Sequence, residues 1–285
     1  MNGFTAALRS ELLVARHTLG ARLVIIVPVI LVLLQFLFTK LGEASSAARD
    51  NLLGSSSFDD QLANNAWGYF VDGLNTGLTV LGLLLVAQAA YSFSSDRDSG
   101  AIRHLIIRRC SRSAVILAKL VQLHLLAFAS IILLALSSYF LSGQFWEFGA
   151  VVEDGFELIS EDEIRTEIAL GLRLALLPLP ASIAFGALVS VAASTSNQAV
   201  VSALGISLIL DIFKSMLGGT ADYLYASYQP SLINQSYLEE VSRLVRGYSD
   251  VLIDDRLLQL NTWVPFPALI LFIFATLVIV NRRSM

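Results

Sequence analysis

The sequence predicts an all-α integral membrane protein, on three observations. Of the 285 residues, 55% are hydrophobic and 15% charged, whereas soluble domains carry about a quarter charged residues. Six apolar runs, at about 23–39, 67–93, 114–141, 168–193, 199–217 and 263–280, come close to or exceed the ~20 residues a helix needs to cross ~30 Å of hydrocarbon. Aromatic residues mark run ends, with Trp67 and Tyr69 at one boundary of the second and Tyr91 at the other, as interfacial belts do. The net charge of -4 identifies no partner, because acids and bases sit on different segments, and nothing suggests nucleic acid. One cysteine, Cys110, excludes an intrachain disulfide, and with three histidines it leaves little material for a metal site.

Residues 1–22 carry Arg9, Arg16 and Arg22 against Glu11, while Phe4, Leu8, Leu12, Ala15 and Leu19 recur at helical spacing. This predicts an amphipathic interfacial helix feeding the first span. A signal peptide is the rival reading, since small residues follow at Ala44 to Ala48, but the leading segment is long and further spans come after it. Residues 40–66 read as a polar loop with Asp50, Asp59 and Asp60. In the second span Gly73 and Gly77 stand four apart and allow a neighbouring helix to approach closely, a dimer contact being the more specific reading.

Beyond the third span, residues 142–167 form an acidic loop with Glu147, Glu153, Asp154, Glu157, Glu161, Asp162, Glu163 and Glu167 against Arg165. Pro178 and Pro180 in the fourth span predict a kink or break there. Ser194-Thr195-Ser196-Asn197-Gln198 makes an uncharged turn into the fifth span. Residues 218–262 form a large polar loop containing a helical stripe of Leu238, Val241, Leu244 and Val245. The sixth span ends at Asn281-Arg282-Arg283. No repeat of 20–50 residues and no separate soluble domain stands out, so the chain reads as a single transmembrane domain.

The densest positive charge lies between spans two and three. Asp98 or Ser99 can cap a new helix there. Ile102, Leu105 and Ile106 fall at helical spacing on one face, with Arg103, His104, Arg108, Arg109 and Arg112 around them. The result is a short amphipathic helix, too charged to enter lipid, and Ser111 or Ser113 can cap the span that follows. Six spans put both termini on one side. Lysines and arginines number eleven on that side and seven on the longer opposite loops, so both termini and residues 95–112 are expected in the cytoplasm.

This pattern resembles the permease subunit of type-2 ABC exporters. Asp96, Ser99-Gly100-Ala101-Ile102, Leu105-Ile106, Ser111-Arg112 and Ala118-Lys119 match in order the family's segment between spans two and three, and Arg9-Ser10-Glu11-Leu12 with Arg16 resembles its N-terminal helix. Cys110 stands near the family's usual proline and Ala101 in place of its threonine. The resemblance implies that the surface segment is a coupling helix docking into a cytosolic ABC ATPase through Asp98, Ile102, Arg103, Leu105, Ile106, Arg109 and Arg112. It also implies a second permease subunit, a homodimer or a close relative, in the inner (cytoplasmic) membrane. ATP and Mg would be bound by the ATPase, with no cofactor on this chain. The alternative for the arginines is anchoring to anionic headgroups.

No Gly-x-x-x-x-Gly-Lys-Ser/Thr occurs, so an ATPase working with this chain is expected to be a separate polypeptide. No metalloprotease or serine-hydrolase motif occurs either, which speaks against a membrane-embedded enzyme. His124 reads as a hydrogen-bonded interior residue. The informative intramembrane charges are Asp72, Arg173 and Asp211, each about 10 Å inside the outer end of its span at 1.5 Å per residue. Charges at that depth are costly unless paired or hydrated, and Arg173 is expected to be neutralised by Asp72 or Asp211, as an outer clamp or a polar spot in a pathway. A secondary carrier or channel, using such charges to bind ions, is the competing function.

Overall fold

The computed structural model describes residues 3–53, 65–100, 111–153, 156–231, 236–247 and 255–282. Helix α1 (Gly3–His17) is followed, after one non-helical residue at Thr18, by α2 (Leu19–Leu53). The expected loop from residue 40 is helical as far as Leu53. Between Glu43 and Leu53 the chain is Ala, Ser, Arg, Asp, Asn and Leu with no glycine or proline, so nothing there stops a helix already nucleated in the membrane.

Helix α3 (Ala66–Asp98) is capped by Asn65, whose side chain accepts from the Trp67 amide at 3.0 Å. Helix α4 (Arg112–Phe145) is capped by Ser111, which accepts from the Ala114 amide. A short antiparallel hairpin follows, β1 (Val151–Glu153) with β2 (Phe156–Ile159). Helix α5 (Glu161–Leu176) then begins seven residues before the apolar run at Ile168, because Ser160 caps it and Glu161, Asp162 and Glu163 suit the positive end of its dipole. The chain breaks at Pro178 and resumes as α6 (Leu179–Ala192), the break that the two prolines predict. Thr195 caps α7 (Ser196–Phe213). Two 3₁₀ turns, Lys214–Tyr223 and Tyr225–Tyr228, lead to α8 (Tyr237–Val245). Helices α9 (Asp255–Trp263) and α10 (Pro265–Arg282) complete the described chain.

Six of these segments are long and apolar enough to cross a membrane: Leu19–Arg49, Ala66–Asp98, Arg112–Phe145, Glu161–Ala192, Ser196–Tyr223 and Asp255–Arg282. One of them, α3, is central and packs against α2, α4, α6, α7 and α8. Its core face runs through Val71, Leu74, Leu78, Leu81 and Leu85, all fully buried. The glycines expected to admit a neighbour do so inside the chain. A methyl group on Gly73 would meet Phe36 and Val32 of α2, and one on Gly77 would stand 2.4 Å from Leu134 of α4. The closest approach to another helix's backbone among the described glycines is at Gly186 of α6, where an added Cβ would lie 2.7 Å from the Val86 carbonyl of α3; in a bilayer such contacts replace hydrophobic driving force with packing. Helices α7 and α10 keep most of their apolar surface outward, with Val201, Ile209, Ile270, Leu271 and Phe274 exposed.

Candidate functional site

Three pieces of sequence that are far apart converge at the end of the bundle where α3 stops and α4 starts. Ala7 of α1 packs with Val115 and Ala118 of α4, with Phe4 and Leu8 beside them. Leu12 and Leu19, on the apolar face expected at the membrane interface, are exposed. That docking brings Glu11 over α4, where Lys119 Nζ stands 2.9 Å from Glu11 Oε2 and 2.5 Å from Asp96 Oδ2 of α3. The Lys119 and Glu11 side chains are only 7% and 9% exposed. Burial pushes the Glu11 carboxyl above its ordinary range, and Lys119 opposes that shift. One cation therefore holds two carboxylates from two other helices.

Asp98 stands two residues on, and the helix it was expected to cap lies outside the described residues. Asp98 itself lies in the last turn of α3, and its Oδ2 accepts from both the amide (2.7 Å) and the hydroxyl (2.6 Å) of Ser196 at the start of α7. A carboxylate suits that position, at the positive end of a second helix. Residues 101–110 are thus bounded on the α3 side by contacts to α1, α4 and α7, and on the other by the Ser111 cap. Ile102, Arg103, Leu105, Ile106 and Arg109 of the expected coupling helix lie outside the described residues; Asp98 and Arg112 flank them.

At the opposite end, the three intramembrane charges do not meet. Asp72 pairs with Arg246, just past α8, and accepts from Ser242 Oγ at 2.6 Å. Asp211 pairs with Lys214 at 2.8 Å and accepts from Ser231 Oγ at 2.8 Å. Among the described residues Arg173 forms no ion pair, so the expected neutralisation by Asp72 or Asp211 is not made. The reason is tertiary: α8 buries Leu238, Val241 and Val245 against the bundle, which carries Ser242 and Arg246 over α3 first. Ser236 to Asn75 (2.7 Å) and Tyr237 to Glu167 (2.6 Å) fasten the same loop. Beside it, Tyr69 stacks on Trp146 with centroids 3.8 Å apart, and both donate to Glu43 of α2. His124 bonds the Leu120 carbonyl within its own helix at 2.7 Å.

Arg246 was the partner that sequence reasoning missed. The signal existed, since it lies eight residues after Leu238 and four after Ser242 on an amphipathic stretch, which places all three along one side of a helix.

Six membrane-length helices, one of them central, with no soluble domain among the described residues, define a multi-pass α-helical membrane protein. The chain belongs to the ABC-2 family of transporter proteins, whose family model matches residues 9–283. It is accordingly a membrane transport subunit of the permease kind. No individual curated protein and no solved structure matches it.

Proposed function

We propose that this chain couples a separate cytosolic ABC ATPase, which binds the ATP and Mg, to export or mechanical movement of a substrate, as one of two permease subunits in the inner membrane with both termini cytoplasmic. The ATPase grips the segment carrying Ile102, Arg103, Leu105, Ile106 and Arg109. The observation that carries this reading is the Glu11–Lys119–Asp96 triad beside that segment, together with Asp98 on Ser196. A pull on residues 101–110 displaces α3 and α4 directly, and it is felt by α1 through the buried Lys119 and by α7 through the more exposed Asp98. The family match over nearly the whole chain supports an ATPase partner.

The test is recovery of the tagged full chain from membranes in mild detergent. An ABC ATPase should co-purify, and R103E combined with R109E should abolish its recovery while the permease stays in the membrane. Equal recovery with the variant would overturn docking through this segment. Labelling of Arg103→Cys from outside intact cells would overturn the orientation.

A further inference from the structure

Helices α5 and α10 enclose an apolar groove of about 500 Å³, lined by Leu172, Leu176, Pro265, Phe266 and Leu269 among others, whose one charged lining residue is Arg173. That volume falls within the ~300–1,000 Å³ of ordinary ligand sites. The groove follows from the break in the fourth span, since Pro180, just past it, and Leu177, just before it, both line the space against Pro265. Arg173 is exposed, and the two intramembrane acids are already committed to Arg246 and Lys214. It lies six residues past Glu167, the last acid of the α5 N-terminal run, or about 9 Å at the helical rise. From that depth its long stem carries the guanidinium toward the headgroup level.

We propose that this groove is a seat for an anionic membrane phospholipid, with the phosphate accepting from Arg173 and an acyl chain lying along Leu172, Leu176, Phe266 and Leu269. Charge complementarity selects this occupant. A cation in an apolar groove open to the bilayer is relieved by a ligand that brings a negative headgroup and a hydrocarbon tail together, and guanidinium binds phosphate through paired hydrogen bonds. A second copy of the chain is a poor match. The apolar helices it would present, residues 19–39, 112–145 and 265–282, contain no Asp or Glu, and 196–213 contains only the engaged Asp211. The proposal requires only that the chain spans a membrane, and it stands apart from ATPase coupling.

The protein carries its own reporter. Trp263 is 70% exposed and two residues from Pro265, whereas Trp67 and Trp146 are 5% and 6% exposed. The full chain, reconstituted in phosphatidylcholine vesicles, is titrated with brominated phosphatidylglycerol or brominated phosphatidylcholine, and W263F identifies the quenching that belongs to Trp263. Phosphatidylglycerol should be preferred at this site by about fivefold, the worth of a ~1 kcal/mol ion pair. R173Q should bring the ratio to about one while R173K retains most of it. Equal quenching by both lipids, an unchanged preference in R173Q, or loss of the preference on adding soluble glycerol phosphate would each overturn the proposal. So would an Arg173-dependent loss of dimer with no change in lipid preference, which would assign the groove to a second copy.

Discussion

The two ends of the bundle are held together by different chemistry. Where α3 meets α4, a single nearly dry cation, Lys119, joins Glu11 and Asp96. At the opposite end the Arg246–Asp72 pair is partly wet, its side chains being 33% and 26% exposed, Lys214 on Asp211 is as dry as Lys119, and both pairs share the load with hydroxyl bonds from Ser242, Ser231 and Ser236 and with the Tyr69–Trp146 stack. The first arrangement makes three helices depend on one side chain. The second spreads attachment of the polar loop over many modest contacts. A joint meant to pass force intact is served by the first, and a cap that keeps its position when any one contact opens is served by the second.

Breaking the triad at its centre should have the largest effect. K119M leaves two carboxylates facing each other with the cation gone, and removing one partner of a buried charge set costs ~3–5 kcal/mol. The variant should unfold at a markedly lower temperature in detergent, and protease should reach α1. Lowering the pH into the carboxylate range should restore much of the loss by protonating the two acids. A melting temperature equal to that of the unmodified chain would mean the triad does not hold the joint.

Arg246→Met tests the spread-out end. Asp72 keeps Ser242 and is partly hydrated, so about 1 kcal/mol is expected, including the loss of the guanidinium 5.6 Å over the Tyr69 ring. A loss as large as that of K119M would erase the contrast between the ends.

Glu11→Gln should have the smallest effect at pH 7, below ~1 kcal/mol. Burial already works against the ionised form, and Lys119 keeps Asp96. The sign of the pH dependence follows. Because the folded chain holds the Glu11 proton more tightly than the unfolded chain does, its contribution is greatest when protonated. It falls as pH rises from the ordinary 4.5 through the raised value and is constant beyond it. Melting curves across that window should slope downward in the unmodified chain more than in E11Q. Identical slopes would show that Glu11 does not titrate differently on folding.

Most of the fold was legible from the sequence, because the bilayer demands long apolar helices whatever their neighbours are. The Pro178 break and the Ser111 cap were equally local. Glu11, Asp96 and Lys119 were visible as three separate motif fragments, but their meeting was not, since residues 108 apart in sequence carry no local mark of contact. Gly73 and Gly77 signalled close approach without saying to what, and the answer was α2 and α4 of the same chain.

The sequence by itself thus determined the number of apolar spans and the position of the charged segment, which follow from hydropathy, caps and breakers acting over a few turns. Only the tertiary structure decided which charges pair. An ion pair forms between whichever groups packing brings within reach. The burial of Leu238, Val241 and Val245 against the bundle awarded Asp72 to Arg246, and Lys214, one turn on in sequence, took Asp211. Arg173 was left facing an apolar groove.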